Sequence, residues 1–108
     1  MKFYRSERVS KLVREELSKI IERELEFDAL VTVTEVDVDK KMDRARVLVS
    51  VLPAKGEAAA LRTLANAAGY LQHLLVKKVN IKPMPRIMFE IDRGPENAAR
   101  VEKALLGE

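Results

Sequence analysis

Cysteine is absent from this sequence, which excludes disulfides, thiolate nucleophiles and sulfur-ligated metals and fits a reducing cytoplasm. Tryptophan is absent as well, and aromatic residues make up only 5% of the 108 residues. The strands therefore have little from which to build a base-stacking platform. The single histidine, His73, lies between Leu71 and Leu74 with no second histidine to share a metal, and reads as an ordinary helix-surface residue. Ser6, Ser10, Ser18 and Ser50 lack a glycine-flanked elbow, and the glycines Gly56, Gly69, Gly94 and Gly107 are too scattered to cradle a phosphate. Acid pairs such as Asp37/Asp39 and Glu15/Glu16 fall on turns or helix faces, where solvation explains them. Catalysis is not expected, and neither is a metal or cofactor. No apolar run approaches a membrane span, and Met1-Lys2-Phe3-Tyr4-Arg5-Ser6 leads straight into a charged helix without the apolar segment of a secretory signal. Glutamine and asparagine are scarce beside Glu, Lys and Arg, a balance that leans towards a heat-tolerant host.

What the sequence does contain is charge, unevenly placed. The net charge of +3 conceals two basic segments. Lys2, Arg5, Arg8, Lys11 and Arg14 are opposed near the amino terminus by Glu7 alone, and Lys77, Lys78, Lys82 and Arg86 have no acid among them. The rest of the chain is net acidic. Concentrated cations on an otherwise acidic chain point to an anionic partner, although a basic run is also an ordinary way to solvate a face.

The length suits one domain spanning 1–108 with a single core. Ser6 is placed as the N-cap of a first helix, in which Val9, Leu12, Val13, Leu17, Ile20, Ile21 and Leu25 recur at helical spacing. Cations crowd the start of that helix while Glu22, Glu24 and Glu26 crowd its end, opposite to what the helix dipole favours. Stability alone would select the reverse, so the basic end reads as a binding feature. Leu30–Val38 alternates as a strand, but its phase changes between Val31/Val33 and Val36/Val38, which predicts a β-bulge near Thr34-Glu35. After the polar turn at Asp39–Asp43, Arg44–Leu52 forms a second strand whose Ala45, Val47, Val49 and Val51 face the core, giving an antiparallel hairpin. Lys40, Lys41, Arg44 and Arg46 make a third basic group, partly offset by Asp37, Asp39 and Asp43.

Glu57–Lys82 is helical in pattern, with Leu61, Leu64, Ala68, Leu71, Leu75 and Val79 on one stripe. Unbroken, it would be roughly 35 Å long, about the width of the domain. Gly69 either lets two elements pack closely or marks the corner of a helix–kink–helix at Ala67-Ala68-Gly69; a kink is the expectation taken here. Pro83 and Pro85 open a third strand, Arg86–Asp92, at a sheet edge, and Gly94-Pro95-Glu96 opens a short final helix carrying Ala98, Val101 and Leu105. The long helical connection makes the third strand parallel to the second, which becomes the central strand. The order α-β-β-α-kink-α-β-α describes an α+β, two-layer domain with a mixed three-stranded sheet.

That order resembles a type II KH domain, in which a Gly-x-x-Gly loop joins the central helices and clamps a nucleic-acid backbone. Here the corner is Asn66-Ala67-Ala68-Gly69, without the first glycine, and is similar to the Ala-x-Gly corner of the ribosome-binding factor A family. Arg8-Val9, Leu12-Val13, Glu16-Leu17, Val31–Val36, Ala45–Leu52, Ala67–Leu71, Leu74-Leu75 and Pro85–Phe89 resemble that family in the same order, over about residues 5 to 106. Asp28-Ala29-Leu30 departs from a common Asp-Pro-Arg. The resemblance implies a cytoplasmic, monomeric assembly factor of the small (30S) ribosomal subunit. It would assist late maturation of 16S rRNA by binding RNA without catalysis. Lys2, Arg5, Arg8, Lys11, Arg14, Lys77, Lys78, Lys82 and Arg86 would then contact phosphates. Two alternatives are a KH-like module with another RNA target and a protein-interaction module docking on ribosomal proteins.

Overall fold

A computed structural model describes residues 2–94, with the backbone alone for 2–4. Its elements are α1 (Lys2–Glu24), β1 (Leu30–Val38), β2 (Arg44–Leu52), a single 3-10 turn at Ala54–Gly56, α2 (Glu57–Lys78) and β3 (Arg86–Ile91). The final helix expected to open at Gly94-Pro95-Glu96 lies, beyond Gly94, outside the described residues. The sheet order is β1-β2-β3, with β1–β2 antiparallel and β2–β3 parallel, so β2 is central as the valine-rich, proline-free strand should be.

The two helices pack on one face of the sheet. Val13 and Leu17 of α1, Ala45, Val47 and Val49 of β2, and Leu64, Leu71 and Leu75 of α2 lose all contact with solvent in the layer between. The register shifts between Val33 and Glu35, where the sequence places its bulge, and the shift returns Val36 and Val38 to the core face. Thr34, the residue without a partner in that register, turns its hydroxyl to the Leu48 carbonyl (3.2 Å) and the Asp92 carboxylate (2.7 Å). Asp92 also accepts from the Gly94 amide, and these two hydrogen bonds, Thr34 first, lower its pKa. A carboxylate held below its usual pKa stabilises the fold above its unfolded value and loses that contribution as pH falls through the lowered one. Asp92→Asn is therefore expected to flatten the decline in Tm between about pH 5 and pH 2, measured by thermal scans across that range.

Two expectations are corrected. Ser6 does not cap α1, because the helix already runs from Lys2 and Ser6 sits inside it, buried on the same row as Val9 and Val13. Nor does Ala67-Ala68-Gly69 interrupt the second helix. α2 is one continuous helix of 22 residues that runs through this corner and ends at Lys78, short of Lys82. Gly69 is exposed, and a Cβ added there would meet nothing within 4 Å. Flanking alanines and the shared stripe of Leu64, Leu71 and Leu75 offset what one glycine costs. Gly69→Ala is thus expected to stabilise the protein by about 0.5–1 kcal/mol, read as a rise of a few degrees in Tm.

Candidate nucleic-acid interface

The topology collects the basic segments at one end of the domain. β1 ends, and β2 and β3 both begin, at the same edge of the sheet, since Val38 pairs with Ala45 and Arg44 with Arg86. The start of α1 is tied to this end, because Ser10 Oγ accepts from the Val38 amide at 3.0 Å. α2 arrives there too, and Arg5 Nη2 donates to the Lys82 carbonyl at 3.2 Å. Residues remote in sequence thus share one pole: Arg5, Arg8 and Lys11 from α1, Lys77 and Lys78 from the last turn of α2, Lys82 beyond it, Lys40, Lys41 and Arg44 from the hairpin, and Arg86. The opposite end holds the close of α1, the start of α2 and the end of β3, with Glu22, Glu24, Glu26, Asp28, Glu57 and Asp92. Charge is divided along the molecule, with cations dominant at one pole and acids at the other.

Within the basic pole the cations occupy different faces. Arg5 faces α2, and so, further along α1 towards the acidic pole, do Lys19 and Arg23, which line a cleft of about 260 Å³ with Ile20, Leu74, Lys77, Lys78 and one acid, Glu16. Arg14 points elsewhere. It lies between Ser10, which bonds β1, and Ser18, which lines the cleft beside β1, in one row at steps of four. Arg86 and Arg44 are neighbours across β2 and β3 on the helix-free face of the sheet. Arg8 and Lys11 are exposed between the two flanks of α1. The side chain of Lys2 lies outside the described residues. Arg8, Lys11, Arg14, Lys77, Lys78 and Arg86 make no side-chain hydrogen bond or ion pair with any described residue, so their donors are open to a ligand.

Arg46, by contrast, is occupied. Its Nε and Nη2 donate to Glu90 at 2.8 and 3.2 Å, and Asp37 lies 3.7 Å from Nη1. The hydrogen bond from Arg46 holds the Glu90 carboxyl below its usual range, and the same pair raises the arginine. At the other end of α1, Glu24 takes hydrogen bonds from Arg23 (2.9 Å) and from the Tyr70 hydroxyl (2.8 Å), which lower its pKa and raise that of Tyr70. Asp39 is a structural acid: its Oδ1 accepts from the Asp43 and Arg44 amides, closing the hairpin turn that presents Lys40 and Lys41. Met42 adopts φ 64° in this turn and buries its side chain.

Lys19 and Arg23 were not among the residues expected from sequence, because they sit in the half of α1 that counts as acidic. A projection of the helix does find them, since Arg5, Leu12, Lys19 and Arg23 follow one another at steps of seven, seven and four on one flank. His73 is exposed on α2, and among the described residues no group of three or more His, Cys, Asp or Glu is placed to hold a metal. No described helix is long and apolar enough to cross a membrane.

Comparison with known proteins gives a consistent result. The ribosome-binding factor A from Caldanaerobacter subterraneus is 32% identical over 106 residues, covering 94% of this chain and 87% of the relative. That from Acetivibrio thermocellus is 35% identical over 105 residues, covering 94% and 85%. A crystal structure of the Thermus thermophilus ribosome-binding factor A shares the fold, with a TM-score of 0.72 at 24% identity over 82% of this chain and 98% of that one. Coordinates of the Thermus thermophilus protein fitted into a cryo-EM map of a 30S–RbfA complex match with a TM-score of 0.66 at 26% identity, over 77% of this chain and 90% of that one. The family model for Ribosome-binding factor A covers residues 5–105, and the chain belongs to this family.

Proposed function

We propose that this chain binds the small ribosomal subunit as a non-catalytic assembly factor. Its basic pole would grip 16S rRNA phosphates, and binding would assist late maturation of that RNA. The observation that carries this reading is the convergence of two basic segments, about 70 residues apart in sequence, through the Arg5–Lys82 contact. The fitted 30S complex of the Thermus relative supports the choice of partner. Cations on several faces of one pole, with no aromatic platform among the described side chains there, suit phosphate and shape recognition over base reading.

The test is sedimentation of the tagged protein with ribosomal particles across a salt series. Co-migration with free small subunits and not with complete ribosomes is expected, falling steeply as salt rises. Binding to intact subunits that salt leaves unchanged, with no shift of naked 16S rRNA, would favour docking on ribosomal proteins instead. The maturation role has its own readout: cells depleted of the protein should accumulate precursor 16S rRNA.

A further inference from the structure

We infer that the amino-terminal half of β1 is a docking edge for an extended, basic peptide segment, at the pole opposite the proposed RNA-binding one. β1 is an edge strand, so every second residue turns its N–H and C=O away from β2. The hydrogen-bonding pattern identifies them. Asp39 bonds Arg44 and Val38 donates outward to Ser10, so the alternation, carried through the bulge, leaves Val31 and Val33 facing outward.

The two halves of this edge are treated differently. Beyond the bulge, α1 covers the strand through Ser10, and Glu35 and Asp37 add charge, two of the devices by which proteins blunt an edge. Before the bulge, Leu30-Val31-Thr32-Val33 carries neither charge nor proline, and no described residue bonds the outward backbone groups of Val31 and Val33. α1 stands away here and leaves a cleft of about 410 Å³, floored by Ile21, Leu25, Phe27, Val31 and Val33 and rimmed by Glu22. Glu26 and Asp28 are exposed on the adjoining connection, and neither they nor Glu22 pairs with a described cation.

Free strand backbone, an apolar floor and an acidic rim together specify the occupant. An incoming strand would meet Val31 and Val33 with main-chain hydrogen bonds, drop alternate apolar side chains into the cleft and set cations against the rim. The acidic rim disfavours RNA at this site. It also disfavours a second copy of this chain, which would bring its own acids to the same place.

The probe is an acetylated, amidated Lys-Val-Lys-Val-Lys-Val-Lys peptide titrated into the isotope-labelled full chain. Amide shifts at Val31 and Val33 are expected, with at least tenfold slower hydrogen exchange at both. The same peptide with glutamate for lysine should bind at least tenfold more weakly, and Glu22→Lys should weaken the lysine peptide by a similar factor. Val31→Pro removes an outward donor without breaking the ladder to β2 and should abolish exchange protection at Val33. Shifts confined to Glu22, Glu26 and Asp28, or undiminished binding to both variants, would overturn the proposal. So would protection of Val31 and Val33 in the peptide-free protein with concentration-dependent sedimentation, which would give the edge to a second copy.

Discussion

Replacing Arg8, Lys11, Lys77 and Lys78 together with alanine is expected to cost up to about a thousandfold in affinity for small-subunit RNA near 0.1 M salt. Each cation that neutralises a phosphate adds about 0.7–0.9 to the slope of log K against log salt, so four such contacts contribute roughly three. Counterion release vanishes as an advantage near 1 M salt, and one decade below that a slope of about three becomes about three decades of affinity. The variant should still fold, since all four side chains are exposed and bond no described residue, and surface changes of this kind usually stay within about 0.5 kcal/mol. Arg44→Ala with Arg86→Ala is the informative companion, because those two lie on the helix-free face of the sheet. If RNA follows the α1–α2 side, the pair should reduce the salt slope by less than one. Equal losses for the two variants would mean that RNA wraps the pole. An unchanged slope for the fourfold variant would exclude the basic helices as the RNA contact.

How much of this was legible beforehand depended on whether the signal was local. β2 could be read to its ends because Ala45, Val47, Val49 and Val51 alternate without interruption, and Pro53 stops them. The bulge was legible because a single change of phase at Thr34 has one economical geometric solution. Gly69 does not break the helix, because helix propensity is a weak local term, whereas the packing of Leu64, Leu71 and Leu75 against the sheet acts along the whole element. Counting charge by segment located the basic pole but not its faces. Arg14 and Arg5 belong to one segment yet lie on opposite flanks of α1, and Lys19 and Arg23 join the cleft from a segment that counts as acidic. The acidic pole was legible only in part: Glu22, Glu24 and Glu26 cluster at the end of α1, but Glu57 and Asp92 reach the same end only through the sheet topology.

The residue least visible in the sequence carries the largest expected effect on stability. Gln72 extends from α2 to the start of β3, where its Oε1 accepts from the Ile87 amide and its Nε2 donates to the Pro85 carbonyl, each at 2.9 Å. The amide side chain takes the place of a neighbouring strand on an edge that would otherwise expose its backbone. Ile87 and Pro85 are themselves buried, so Gln72→Ala leaves a donor and an acceptor with poor access to water. The expected cost is about 2–3 kcal/mol, or roughly 10–20 °C in Tm for a domain of this size. Gln72→Glu separates the hydrogen bonds from mere packing. A carboxylate still accepts from Ile87 but sets a second oxygen against the Pro85 carbonyl, whereas the protonated acid can donate to it. The folded-state pKa of the new acid should therefore rise, and its destabilisation relative to wild type should shrink as pH falls through that raised value. Thermal scans of both variants between about pH 7 and pH 4 read this directly. A Gln72→Glu deficit that does not vary with pH would mean that Gln72 acts by filling space, and β3 would then have to be held by its ladder to β2 alone.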